Sequence, residues 1–142
     1  MSSIIIDSEE VFKIQLLEDI GERFMVFKSN HKYSVVDFIC INKNNLRNFH
    51  IEHKKRRGKK CSFKTLYIGF DKVNKVEEYF KETYYIWDYD NELYWVKHKK
   101  EFLERDISWV NGSRVYNIFV SEVNTGYDNF IQLINSFSND RF

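Results

Sequence analysis

Proline is absent from this chain, cysteine occurs only twice, and no stretch stays apolar for long. Each shortage closes off a class of protein. Cys40 and Cys61 show no metal-ligand spacing, which argues against a zinc site and leaves two reduced thiols of an intracellular protein as the expectation. No segment approaches the length needed to span a bilayer. The opening Met-Ser-Ser-Ile-Ile-Ile-Asp lacks the basic region, long apolar run and cleavage site of a signal peptide. Charge of one sign is also lacking: the formal net charge is +1, so the molecule as a whole exerts no strong pull on a polyanion. No internal repeat, low-complexity linker or boundary interrupts the 142 residues, so one domain with a real core is expected over 1–142.

What is abundant is aromatic and basic. The chain holds 13 Phe and 9 Tyr alongside many Ile, Lys and Asn, a bias that fits an AT-rich coding genome such as that of a virus, a phage or an AT-rich microbe. The charge is unevenly placed. Lys54, Lys55, Arg56, Arg57, Lys59 and Lys60 crowd into residues 53–60, whereas Asp88–Glu92 is acidic. A local basic patch can contact phosphates even when the total charge is near zero.

Periodicity sets the expected elements. Ser8–Ile20 reads as a helix, with Asp7 or Ser8 as cap and an apolar stripe of Val11, Ile14, Leu17 and Ile20 widened by Phe12 and Leu16. Gly21 is its natural stop. Arg23–Lys28, Tyr33–Ile41 and Arg47–Lys55 read as three strands of an antiparallel meander. Phe63–Phe70 is extended, and Lys72–Glu82 is a second helix capped by Asp71. Thr83–Trp87 and Leu93–Lys97 form a hairpin, followed by a helical turn within Lys99–Arg105, a strand over Arg114–Val123 and a closing helix over Tyr127–Ser136. The expected fold is mixed α/β, with helices covering a central sheet.

Two of those strands carry acids where a plain strand does not want them. Asp37 interrupts the apolar row Val35-Asp37-Ile39-Ile41. Glu52 and Lys54 lie two residues apart, hence on one face of the next strand. A lone carboxylate on a buried face costs several kcal/mol unless a cation pairs with it. A divalent metal or a lysine meets that need.

This arrangement resembles the PD-(D/E)xK nuclease superfamily, the restriction-endonuclease-like fold shared with Holliday-junction resolvases and many phage and viral nucleases. The likeness spans roughly Ser8–Trp87 and rests on Asp37, Glu52 and Lys54, with Val36 standing where a proline often precedes the acid. It implies an αβββαβ core with a C-terminal strand and helix extension. It also implies a Mg²⁺- or Mn²⁺-dependent nuclease acting on DNA, often as a homodimer, because two sites can address two strands. Asp37 and Glu52 would be oxygen ligands, with the His53 carbonyl as a third. Lys54 would orient water or offset phosphate charge. Two further roles follow from the resemblance: a first-helix acid at the metal, Glu18 with Glu10 and Glu22 as rivals, and a second-helix cation facing the site, Lys72 with Lys75 one turn on. Lys55, Arg56, Arg57, Lys59 and Lys60 would hold the nucleic-acid backbone without reading sequence.

Plainer readings stand beside these. Asp37 can be a strand-edge acid meeting water, Glu52-His53-Lys54 a solvated face, and the basic run a solvated loop. His50 shares the Glu52 face as a possible second donor or as a structural histidine. Aromatic residues Tyr79, Phe80, Tyr84, Tyr85, Trp87 and Trp95 are expected in the core, with Tyr89 and Tyr94 undecided between core and base stacking. The alternatives in function are a catalytically silent nucleic-acid binder and a viral or cellular protein-interaction module.

Overall fold

The computed structural model describes residues 8–29 and 35–137. Helix α1 covers Ser8–Ile20, with Glu9 and Glu10 in the first turn, where negative charge suits the helix dipole. It ends at Gly21, whose N–H donates to the Leu17 carbonyl and where a Cβ would run into that same oxygen. Strands β1 (Phe24–Lys28), β2 (Phe38–Asn42) and β3 (Asn48–Lys55) follow as the expected antiparallel meander. Helix α2 (Phe70–Tyr79) then leads into β5 (Thr83–Asp88), which lies parallel to β3. A parallel pair needs such a crossover. Apart from one strand between β3 and α2 that joins a second sheet, the path α1-β1-β2-β3-α2-β5 follows the expected αβββαβ order, and the chain is mixed α/β.

Within the described residues the main sheet has the order β1-β2-β3-β5-β6-β9, with β6 at Leu93–Lys97 and β9 at Asn124–Thr125. Helix α3 (Tyr127–Ser136) and α1 cover one face, burying Phe12, Leu16, Ile20, Phe38, Ile51 and Phe130. On the other face, Tyr85, Trp87 and Val96 pack with α2 and a second sheet.

That second sheet departs from the single central sheet expected. The extended stretch after the basic loop becomes β4 (Thr65–Gly69), which pairs with β8 (Ser113–Phe119) and not with its neighbours in sequence. An unforeseen strand, β7 (Ile107–Val110), completes the order β4-β8-β7. Three further expectations change. Helix α1 buries Phe12, Leu16 and Ile20, whereas Val11, Ile14 and Leu17 are largely exposed, because the apolar arc was wide enough to allow either docking face. Helix α2 starts at Phe70 after Gly69, so Asp71 sits in its first turn and not at its cap. Strand β2 begins at Phe38, so Asp37 lies just before it; Tyr33 and Ser34, expected at that strand's start, lie outside the described residues, as does His31.

Candidate active site

The site is built on β3, where alternate side chains face opposite ways. Ile51 and His53 point toward α1, and Glu52 and Lys54 point toward α2. Glu52 is 1% exposed, at the middle of the sheet. Its Oε1 meets the Lys72 Nζ at 2.6 Å and the Lys54 Nζ at 3.0 Å. Its Oε2 is buried with no hydrogen-bond partner among the described residues. Burial pushes the Glu52 pKa up; the Lys54 and Lys72 amines pull against that, the Asp37 carboxylate adds to it, and the net is a raised value. Burial likewise works against the Lys54 ammonium, but the Glu52 carboxylate and Asp37 outweigh it, and its pKa is raised.

Asp37 reaches the same place from the residue just before β2. Its own N–H donates to the Ile51 carbonyl at 2.9 Å, which continues the ladder past the strand's formal start. Its Oδ2 accepts the His53 N–H at 2.7 Å. This bond substitutes a side chain for the next backbone rung and holds the carboxylate at the β3 edge. A strand residue's N–H and C=O share one side, so the His53 carbonyl points along the edge that Asp37 occupies. The His53 ring is elsewhere: it stacks on Phe12 and meets Asp88 Oδ2 at 2.9 Å, on the α1 face.

The structure thus brings Asp37, Glu52, Lys54 and Lys72 together. It does not bring Glu18. That side chain is exposed on α1, in the electrostatic surroundings of the Tyr127 hydroxyl, because α1 docks on the face opposite Glu52. Among the described residues no third His, Cys, Asp or Glu side chain completes a metal-holding group with the pair. Of the rival acids, Glu10 lies 3.6 Å from Lys28 and Glu22 is exposed. Lys75 is exposed, and His50 packs edge-on against Phe80 with its pKa lowered by burial.

The basic loop is only partly free. Lys55 lies 3.3 Å from Asp90 and 3.9 Å from Asp88. Gly58 and Lys59 carbonyls accept the Asp90 and Asn91 N–H groups at 3.0 and 2.9 Å, so the acidic turn braces the loop. The Arg56 guanidinium lies over the Tyr67 ring, 4.7 Å from its centre. Arg57, Lys59 and Lys60 are exposed.

One buried network escaped the sequence reading. Tyr85, which pairs with Glu52 across β5 and β3, has its hydroxyl 2.9 Å from His98 Nδ1, and His98 Nε2 lies 3.1 Å from Glu77 Oε2. Burial, with the Glu52 and Glu77 charges adding, pushes the Tyr85 hydroxyl far up. The residues are 13 and 21 positions apart, so no local spacing announces them.

No family model matches the chain, and no curated protein matches it. Among solved structures it is similar to Hjc of Archaeoglobus fulgidus, a Holliday junction resolvase from an archaeal hyperthermophile. The likeness has a TM-score of 0.47 and 15% identity, covering 76% of this chain and 87% of that one. It is a likeness of fold. No helix among the described residues is long and apolar enough to cross a membrane.

Proposed function

We propose that this protein is a metal-dependent nuclease that hydrolyses phosphodiester bonds in DNA, with Asp37, Glu52, Lys54 and Lys72 as its working residues. The observation that carries this reading is Glu52: a buried carboxylate with one oxygen clamped by two amines and the other without a partner among the described residues, beside a second carboxylate. An unpartnered buried carboxylate oxygen is costly, and a hard cation satisfies it. Asp37 and Glu52 fit Mg²⁺ or Mn²⁺, which uses few carboxylates and leaves its other positions to water, the His53 carbonyl and substrate phosphate. When bound, such an ion supplies charge for the phosphorane-like transition state and a more acidic water.

The chain's own residues do the rest. Lys72 holds Glu52 in one rotamer from the first turn of α2. Lys54, partly exposed beside the carboxylate, orients the attacking water or offsets charge on the phosphate oxygens. Water gives up a proton to solvent as it forms a bond to phosphorus, the ester bond to the leaving oxygen breaks, and that oxygen takes a proton from solvent. Arg57, Lys59 and Lys60 contact the backbone without reading sequence, so cleavage is structure-selective or nonspecific.

The test is purified protein with Mg²⁺ or Mn²⁺ on single-stranded, duplex and branched DNA, with Glu52→Ala as control. Metal-dependent cutting that the substitution abolishes is the expected result. A protein that cuts no substrate, with Glu52→Ala changing nothing measurable, overturns the reading. One observation favours the alternative of a silent nucleic-acid binder: two amines already neutralise Glu52. Salt-sensitive DNA binding without cleavage is its signature.

A further inference from the structure

We infer that the cleft between the basic loop and the second sheet is a stacking pocket for one unpaired base of the strand held at Glu52. This rests on the nuclease reading of that site and adds the kind of substrate: a strand with an unpaired nucleotide beside the scissile bond. The cleft has a volume of about 640 Å³ and is bordered by Arg56, Arg57, Phe63, Tyr67, Tyr89 and Asn111. That size lies within the roughly 300–1,000 Å³ of pockets that hold small organic molecules.

Its chemistry differs from that of the neighbouring hollows. Among the described residues no carboxylate lines it, and the loop gives it two guanidiniums. A hollow of about 400 Å³ sharing Thr65 and Asn117 is bordered by Glu104, Asp106 and Arg105, the last already paired with Glu101 and Glu122. A third, of about 240 Å³, is bordered by Asp88, Asp90 and Glu92. A phosphodiester strand is repelled from the two acidic hollows and admitted to the basic one.

The aromatic groups are arranged for stacking. Tyr67 is anchored where its carbonyl accepts the Trp87 Nε1–H at 3.1 Å, and the Arg56 guanidinium lies over its ring, 4.7 Å from the centre. Phe63, 77% exposed, offers a ring that the fold does not use. Cationic groups interleaved with aromatic faces are how single strands are held without sequence preference. Position completes the argument. Arg56 follows Glu52 and Lys54 one residue past the end of β3, where its N–H still donates to the Asp88 carbonyl, roughly 13 Å from Glu52 at strand spacing. A strand whose phosphate sits at Glu52 and Lys54 therefore runs into the cleft.

The experiment measures binding with divalent metal omitted, so that it does not depend on cleavage. The probes are fluorescein-labelled oligothymidylate, the same strand paired with oligoadenylate, and thymidine monophosphate as competitor. Phe63→Ala and Tyr67→Leu, together and singly, are expected to weaken single-strand binding by about 5- to 100-fold while leaving duplex binding unchanged. Phe63 is exposed, so its replacement alone keeps the test valid if the Tyr67 variant folds poorly. Equal losses on both probes, or none on either, overturn the inference, as does a monophosphate that binds as tightly as the strand. Selective loss in a protein that never cuts keeps the pocket and sinks the nuclease; cutting with no selective loss does the reverse.

Discussion

Two buried acid clusters lie under helix α2, and they differ in one respect. In the last turn of the helix, Glu77 joins His98 and Tyr85 in a chain in which both ring nitrogens of His98 are engaged, at 3.1 and 2.9 Å. At its first turn, Lys72 and Lys54 crowd onto one oxygen of Glu52 and leave the other unpartnered. Tyr85 touches both environments, since the Glu52 and Glu77 charges both act on its hydroxyl. A satisfied buried network rigidifies a fold, whereas a half-satisfied one is expensive unless a ligand completes it. The closed cluster is complete as it stands, and the open one is where the proposed metal site lies.

That contrast can be broken in four ways. The largest effect is on Glu52. Glu52→Gln keeps the shape and removes the charge, and cleavage should fall about 10³-fold in initial-rate assays at saturating Mg²⁺. A rate within about tenfold of the parent would erase the distinction between the clusters. Next, His98→Phe strands Glu77 and the Tyr85 hydroxyl in the core. Urea unfolding should show a loss of about 2–3 kcal/mol while metal affinity holds. A collapse of metal affinity instead would place both clusters in one machine.

The third concerns pH. Folding raises the Glu52 pKa above its ordinary 4.5, mainly through burial, so the folded state favours the protonated carboxyl. Its contribution to stability is then greatest below the ordinary glutamate value and is lost as pH rises through the folded one. Metal-free Glu52→Gln escapes that loss, so its melting temperature should gain on the parent from acid toward neutral pH. The same shift makes Mn²⁺ affinity decline on acidification before an ordinary glutamate would protonate; calorimetry at several pH values reads it. A constant difference in melting temperature would mean that the two lysines cancel the burial cost. The smallest effect is on Asp37. Asp37→Asn removes the like charge beside Glu52, and carboxyl NMR should show the Glu52 pKa move down.

Much of this was legible beforehand. Helix α1 spans the residues its pattern predicted, the meander is in place, and strand alternation put Glu52 and Lys54 on one face. These are consequences of local geometry, with periods near 3.6 and 2 written into neighbouring residues. Lys72 entered through the resemblance alone, and its contact with Glu52 spans 20 residues. Glu18 also entered through the resemblance, as the first-helix acid, but which face of α1 docks is a tertiary matter, and docking turned Glu18 outward. Phe63 and Tyr67 passed unremarked because an extended apolar stretch reads the same whichever sheet it joins.

The sequence by itself determined the order of the elements as far as β6, with one acid at the entry to β2 and another on the adjacent β3, because alternation and turn chemistry act over a few residues. Only the tertiary structure decided what those acids mean. It drew Lys72 onto Glu52, left one carboxylate oxygen without a partner, and paired β4 with β8 to open a basic cleft beside it. Those contacts join residues far apart in the chain, and burial, which makes an unpaired charge costly, exists only once they have formed.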